Sequence, residues 1–298
     1  MRKLFAVPIL ALALLAGCGE KAGSPVGPYP TVERLLLDGW NTYRRGDFEG
    51  AKVKFDSAVD INATETGAHI GAGWSKVHLS LFRDAKTNLS IAVSLEGPNP
   101  VVPVQAEDPI VTDSAWVVKP LNLPVLGVTD KTVKGKGERQ STSGDAVYAD
   151  IIYEVVYLTD STITLKWSDE NDLAIIPSPP DSSDILELYY AYYTGQSVSL
   201  QEDALSGKAA AYAANGEDLQ AIIDANAVLK CNPDYVFSHD STITKERLHI
   251  ILAQAYFSQK LYDNALDEVL VLDPDWVYNR NSPTFLYALQ KKIQELMG

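Results

Sequence analysis

Cysteine and histidine are scarce in this sequence. The 298 residues include 2 cysteines, Cys18 and Cys231, and 4 scattered histidines. We assign Cys18 to a processing site below, so Cys231 has no cysteine with which to form an intrachain disulfide in the mature chain. The few histidines argue against a histidine-rich metal centre, and no HExxH or CxxC sequence occurs.

Short motifs of phosphate sites and nucleophiles are also missing. Gly135-Lys136-Gly137 lacks the remote glycine and the Ser/Thr of a phosphate loop. The segment 195–199 lacks the last glycine of a nucleophile elbow, and the segment 169–172 lacks the glycine and distal glutamate of a calcium loop. We therefore predict no catalytic residue, no metal and no cofactor.

Basic residues are outnumbered by acidic ones. The chain has 25 Lys+Arg against 39 Asp+Glu, for a formal net charge of -14. A protein that binds nucleic-acid phosphate is not expected from this balance, and anionic membrane surfaces would repel the chain. The hydrophobic content of 46% is enough to bury a core in about two average domains, which excludes a wholly disordered chain.

The first residues have the pattern of an export signal. Arg2 and Lys3 precede a short apolar run over 4–16, and Leu15-Ala16-Gly17-Cys18 follows. As a helix the run would span only about 20 Å, too short for a stable transmembrane anchor.

This segment resembles the signal peptide and lipobox of bacterial lipoproteins. The resemblance implies removal of residues 1–17 and acylation of Cys18, which would attach the chain to a lipid bilayer. Gly19 stands after the cysteine, and in the enterobacterial sorting pattern this implies the outer membrane, with the protein facing the periplasm or the cell surface. A generic signal peptide in which Cys18 is incidental is the alternative. Residues 18–30 are rich in glycine and proline and indicate a flexible tether.

Residues 31–97 contain an internal repeat with a period of 34 residues. Sliding the chain by that step superposes identical residues at seven positions: Gly39 on Gly73, Trp40 on Trp74, Phe48 on Phe82, Ala51 on Ala85, Lys52 on Lys86, Ala58 on Ala92 and Val59 on Val93. The period and residue types resemble the tetratricopeptide repeat, a helix-turn-helix unit. Small residues such as Gly39, Ala51, Gly73 and Ala85 would be the points where two helices approach closely.

Two further units of this kind are predicted in residues 184–298. Ser199 to Glu202 has the form of a capping box, so a helix is expected from Ser199 to about Ala214, with a return helix ending near Asn232. Lys245 to Asp273 would be the fourth unit, and Thr284 to Met297 a helix that caps the stack. The resemblance therefore implies a mainly α fold, a tetratricopeptide-like helical-repeat solenoid.

Residues 98–183 change from a helical period to a period of two and predict a β-rich insertion. Alternation over 147–158 and 163–167 predicts a β-hairpin, with additional strands over 114–118 and 125–133. The polar, glycine-containing segment 134–144 is expected to be a mobile loop. The tyrosine-rich segment 184–193 is helix or strand, and we favour helix because Asp184 and Glu187 could cap it.

One surface stands out as a candidate binding site. In tetratricopeptide proteins the first helices of successive repeats line a concave groove, and the matching positions here form an aromatic face: Leu36, Trp40, Tyr43, Arg44, Ile70, Trp74 and His78. Either the β insertion or the second half of the chain packs on this face, or it binds an extended or helical apolar segment of a partner.

The resemblances imply a non-catalytic scaffold or adaptor, lipid-anchored in the bacterial envelope, that binds a protein partner through its helical-repeat surface. The alternative is a carbohydrate- or nutrient-binding lipoprotein that uses exposed aromatic rings: Trp40, Trp74, Trp116, Trp167, Tyr189, Tyr190, Tyr192 and Tyr193. An enzyme whose site is assembled from scattered residues is a third possibility. The oligomeric state is left open.

Overall fold

A computed structural model describes residues 30–112, 116–172, 174–195 and 199–298. The predicted signal peptide, Cys18 and nearly all of the tether lie outside these ranges, as does part of the strand predicted over 114–118. Within them the chain forms nine helices: α1 (Val32–Tyr43), α2 (Phe48–Ile61), α3 (Thr66–His78), α4 (Phe82–Leu95), α5 (Ser199–Ala214), α6 (Asp218–Cys231), α7 (Lys245–Ser258), α8 (Tyr262–Leu272) and α9 (Phe285–Met297). The strands are β1 (Val101–Glu107), β2 (Ile110–Val111), β3 (Val117–Lys119), β4 (Val125–Val128), β5 (Thr132–Gln140), β6 (Ala146–Leu158), β7 (Ile163–Trp167) and β8 (Ile185–Tyr193).

The prediction of a mainly α helical-repeat solenoid is wrong, because the fold is mixed. About 46% of the described residues are helical, and the strands form one large curled antiparallel sheet of eight strands. The strand order is β1-β8-β5-β6-β7-β3-β2, and β4 pairs with β8. A sheet of this size has its own buried residues and is therefore a structural layer of the fold.

The helices that the repeat pattern predicted are present, although the helix predicted over 184–193 is not. In the segment 31–97, α1 packs on α2 and α3 packs on α4. The first two helices begin with side-chain caps, since Thr31 Oγ1 accepts from the Arg34 amide at 3.3 Å and Asp47 Oδ1 accepts from the Gly50 amide at 2.9 Å. After the sheet, α5 begins at Ser199 and ends at Ala214, as predicted.

The helices continue as one layer across the inserted sheet. The last helix before the strands, α4, packs against the first helix after them, α5, which also contacts α3. From there α5 packs on α6, α6 on α7 and α7 on α8, and α9 covers α7 and α8. The chain therefore leaves the helical layer after α4 and returns to it beside the point of departure.

The predicted β-hairpin is confirmed. Strands β6 and β7 pair antiparallel, with Val155 opposite Leu165 and Tyr153 opposite Trp167. The side chains of Ile151, Tyr153 and Val155 are buried on one face, as the alternation indicated.

The prediction of a mobile loop over 134–144 is wrong for its first part, because strand β5 extends to Gln140. Gly135 and Gly137 lie on the buried face of this strand, and a side chain on either would collide with a neighbour. A Cβ at Gly137 would lie 1.9 Å from Asp184 Oδ1, and one at Gly135 would lie 2.8 Å from Leu186 Cδ2. The glycines therefore make room for β8 and do not indicate flexibility.

The helix predicted over 184–193 is a strand, β8. Leu186, Leu188 and Tyr190 are buried, whereas Ile185 and Glu187 are exposed, which is a period of two. Asp184 caps no helix. Its carboxylate accepts from Arg139 Nη1 at 2.8 Å, and both side chains of this ion pair are buried.

The sheet packs on the helical layer chiefly through β4 and β6. β4 lies against α6, where Gly127 faces Ile222 and Ile223, and β6 contacts α8. At the second contact the Asn264 side chain accepts from the Leu158 amide at 3.1 Å and donates to the Leu158 carbonyl at 2.8 Å. The Asn264 side chain therefore makes the hydrogen bonds to the Leu158 backbone, at the end of β6, that a neighbouring strand would make.

No helix in the part of the chain that the structure describes is long and apolar enough to cross a membrane.

Two glycines of α3 give a matched test of close helix packing. A Cβ on Gly73 would lie 2.4 Å from Leu89 Cγ, whereas a Cβ on Gly67 would meet nothing closer than 3.4 Å. We expect Gly73→Ala to lower the free energy of unfolding by about 1–3 kcal/mol through overpacking. Gly67→Ala should leave it unchanged or raise it by about 0.4–1 kcal/mol, because alanine favours the helix. Urea denaturation measures both, and equal effects would contradict the role given to Gly73.

Candidate functional site

Most of the predicted aromatic face is brought together and buried. Trp40, Tyr43, Ile70 and Trp74 retain 7%, 2%, 1% and 3% of their exposure. Trp40 and Tyr43 contact each other edge to face, with ring centroids 5.5 Å apart. These side chains are therefore part of the core and not an open groove.

The cover on this face is a short hairpin between α6 and α7, residues 235–244. Backbone hydrogen bonds close it, from the Phe237 amide to the Ile243 carbonyl at 2.9 Å and from the Lys245 amide to the Tyr235 carbonyl at 2.8 Å. We call it the aromatic hairpin. The sequence left open whether this face is covered by another part of the chain or binds a partner segment. In the structure, the second half of the chain covers it.

Two rings of the aromatic hairpin fill the face. The Phe237 ring lies 5.1 Å from Trp74 and 5.9 Å from Trp40, between centroids. The His239 ring stacks on Trp40 at 3.7 Å with an interplanar angle of 5°. Aromatic pairs at these separations stabilise the packing beyond the burial of their area.

A buried carboxyl group anchors the base of the aromatic hairpin. The Tyr235 hydroxyl donates to Asp203 Oδ1 at 3.0 Å and lies 2.7 Å from Ser206 Oγ. The indole of Trp74 donates to the Asp203 carbonyl at 3.1 Å. The pKa of Asp203 is raised to about 7, chiefly by burial and also by the neighbouring charge of Glu202, against the lowering effect of the Tyr235 hydrogen bond.

The remaining predicted residues lie at the margin of the face. Leu36 is half-buried and packs against the core, whereas Arg44 and His78 are exposed. His78 Nε2 lies 2.8 Å from the Tyr43 hydroxyl, and its ring stacks on Phe48 at 3.9 Å. Arg44 Nη2 lies 3.4 Å from His239 Nδ1.

An open cleft of about 440 Å³ lies over this margin, and we call it the rim cleft. It combines a guanidinium, an imidazole, a carboxylate and hydroxyl groups with aromatic rings. Its lining residues are Tyr43, Arg44, Gly46, Phe48, Ser238, His239, Asp240 and Ser241.

His239, which lines the rim cleft, and His78 near it both favour the neutral imidazole. The pKa of His239 is lowered to about 4, chiefly by burial and also by the charge of Arg44. Partial covering of the ring also lowers the pKa of His78, although Asp240 acts in the opposite direction. A neutral His239 that accepts the Arg44 hydrogen bond at Nδ1 carries its proton on Nε2 and can donate it.

Sequence reasoning missed Phe237, His239 and Asp240. They lie in the connection between the two helical units predicted after the insertion, to which no structure was assigned. The alternation of Tyr235, Val236 and Phe237 was the available signal, because a connection with a period of two indicates a short extended segment.

The aromatic residues named for sugar binding do not form one surface. The rings of Trp40, Trp74 and Tyr190 are buried in protein and present no open face. Trp116 and Trp167 pack edge-on against Tyr153 inside the sheet, with centroids 6.3 and 6.0 Å away.

Comparison with known proteins adds no identification. No protein-family model matches the chain, and no curated protein matches it. Among the described residues no group of three or more His, Cys, Asp or Glu side chains is placed to hold a metal ion.

The buried Asp203 predicts a pH dependence of stability. Its pKa is about 7 in the folded protein against 3.8 ordinarily, so the folded state holds a proton that the unfolded chain has released between these values. Stability contributed by this group is full below pH 3.8 and is lost as the pH rises to about 7, at about 1.4 kcal/mol per pKa unit and about 4 kcal/mol in all.

Asp203→Asn should remove this loss, so the variant should gain stability relative to the wild type between about pH 5 and pH 8. Urea denaturation at both pH values measures the difference. Asp60→Asn, at an exposed position of α2, is the control for a lost carboxylate. If Asp203→Asn and Asp60→Asn change with pH in parallel, Asp203 does not titrate as stated.

Proposed function

We propose that this protein is a non-catalytic, lipid-anchored adaptor of the bacterial envelope that binds a segment of a protein partner at the rim cleft. The observation that carries the proposal is the convergence of Arg44, His239 and Asp240 on one open cleft above a buried aromatic base. These groups supply hydrogen-bond donors and an acceptor of the kind that an extended polypeptide backbone needs.

The support beneath the rim cleft favours binding. Ring stacking holds His239 on Trp40 and His78 on Phe48, so their positions are set before a ligand arrives. Side chains that are already ordered lose little conformational entropy on binding, which improves affinity. A partner would then contact the polar edges of the aromatic cluster and would not need to displace the aromatic hairpin.

The anchoring half of the proposal rests on the lipobox-like sequence that ends in Cys18. Two or more acyl chains on one cysteine would hold a protein stably on a bilayer. Twelve extended residues of tether would place the folded part up to about 35–40 Å from the lipid surface. At that distance the rim cleft is free to meet a partner.

Cys18→Ser tests the anchor. We expect the wild type to fractionate with membranes and the variant to be released from them, because serine cannot carry the thioether-linked lipid. Cys231→Ser is the matched control and should stay with the membranes. Mass spectrometry of the mature N-terminus measures the acylation directly, and an unmodified Cys18 in the exported protein would contradict the proposal.

Site-specific cross-linking tests the partner. A photo-reactive amino acid in place of Ser241, which lines the rim cleft, should capture a protein that the same probe in place of the exposed Ser90 does not. With the captured protein purified, the double variant Arg44→Ala, Asp240→Ala should bind it at least about tenfold more weakly, whereas Arg83→Ala on α4 should bind it as the wild type does.

Equal capture from Ser241 and Ser90, or unchanged affinity of the double variant, would contradict binding at the rim cleft. Binding of members of a glycan panel without capture of a protein would instead favour the carbohydrate-binding alternative.

A further inference from the structure

A second cavity, of about 320 Å³, lies where the sheet meets the helical layer. We call it the seam cleft. It shares no lining residue with the rim cleft. Residues from β4, β6, α6, α7, α8 and the turn after β6 line it: Val125, Leu126, Leu158, Thr159, Asp160, Asn226, Leu229, Lys230, His249, Tyr256, Asn264, Asp267 and Glu268.

Hydrogen bonds across the seam fix the shape of this cleft. The Asn226 side-chain amide donates to the Leu126 carbonyl at 2.7 Å and to the Tyr256 hydroxyl at 2.9 Å. Asn264 makes the two bonds to the Leu158 backbone described above. These hydrogen bonds connect the sheet to the helical layer at the base of the seam cleft. The site is therefore already formed before a ligand binds.

On α6 and α8, three side-chain acceptor oxygens of the seam cleft have no donor among the described residues. Glu268 uses Oε2 to bind His249 Nδ1 at 2.6 Å, which leaves Oε1. Asp267 uses Oδ2 to accept from the Tyr157 hydroxyl at 2.9 Å, which leaves Oδ1. Asn226 gives both of its hydrogen bonds through Nδ2, which leaves Oδ1.

The charge of the seam cleft is negative. Lys230 pairs with Asp160 and compensates it. No described lysine or arginine pairs with Asp267 or Glu268, and the His249 imidazole is the remaining titratable partner. The pKa of the Tyr256 hydroxyl is raised in part by this negative charge. Burial is the larger cause, and the carboxylate of Glu268 adds to it.

We propose that the seam cleft binds a small ligand that carries a protonated primary amine. An ammonium group has three donors and no acceptor, which complements the free oxygens of Glu268, Asp267 and Asn226. Its positive charge compensates carboxylates that lack a lysine or arginine partner, and Leu126, Leu158 and Leu229 supply apolar walls for a carbon skeleton. The volume lies at the small end of the range of ligand sites.

Calorimetric titration of the full-length protein tests this site with two amines, glucosamine and putrescine. N-acetylglucosamine is the matched neutral probe, because it keeps the ring and hydroxyls of glucosamine but lacks the ammonium group. We expect at least one amine to bind with one site per chain and N-acetylglucosamine to bind at least about tenfold more weakly than glucosamine if glucosamine binds. Absence of binding by both amines at about 10 mM, or equal binding of the two sugars, would overturn the proposal.

Charge-removing variants locate the site. Glu268→Gln and Asp267→Asn should each weaken binding of the amine about tenfold, whereas Glu295→Gln, an exposed carboxylate on α9, should leave it within about twofold. Because Asp267 is exposed, its variant should fold even if Glu268→Gln does not. An equal effect of Glu295→Gln would show non-specific attraction, and unchanged binding by Asp267→Asn together with a folded Glu268→Gln would place the amine elsewhere.

Discussion

The arrangement of the whole chain depends on the close approach of three helices around Leu89. This side chain of α4 is completely buried, and Cβ atoms at Gly73 in α3 and at Gly207 in α5 would lie 2.4 and 3.0 Å from it. Only glycine leaves room for Leu89 at the tighter of these contacts, so α3 and α5 can both approach α4. Since α5 begins after the sheet, this packing joins the parts of the helical layer that the sheet separates in sequence.

That junction also sets the position of the aromatic hairpin. The contact of α5 with α3 places Asp203 next to the Trp74 indole, and Asp203 in turn holds Tyr235 at the base of the hairpin. Phe237 then lies between the two tryptophans of the first helices. The position of the rim cleft therefore depends on the close packing at Gly73 and Gly207. These glycines set how α3 and α5 pack, and those helices position the aromatic hairpin that lines the cleft.

The helices of the repeat-like segments could be predicted from the sequence, whereas strand β8 was mistaken for a helix and the extent of the sheet could not be predicted. Helical pairs such as those around Gly39 and Gly73 depend on neighbours in sequence, so the repeat and the turn residues indicate them directly. The long strand β5 depends on distant partners. In the sequence, Gly137 and Arg139 are typical of a loop. In the structure both are explained by Asp184, more than forty positions later, which lies against Gly137 and accepts a hydrogen bond from Arg139.

The candidate sites show the same division. Sequence reasoning placed Trp40 and Trp74 on one face, because they occupy the same position in the first helix of successive repeats. It could not identify the aromatic hairpin as the segment that covers these rings, since either a partner or a distant part of the same chain can bury an aromatic face. It could not find the seam cleft at all, because Asn226, Asp267 and Glu268 become neighbours only when the helices pack on the sheet.

The electrostatics of the chain bear on what either cleft can bind. The formal net charge of -14 produces a negative potential over much of the surface, which disfavours anionic ligands and raises the local concentration of cations. The seam cleft adds two carboxylates without a lysine or arginine partner among the described residues, so local and overall charge act in the same direction there. At the rim cleft the local charges balance, because Arg44 and Asp240 both line it and the His239 imidazole is neutral. The charges of the two clefts therefore suit the different ligands proposed for them: a compact cation for the seam cleft, and a polar, uncharged or mixed-charge surface such as a peptide backbone for the rim cleft.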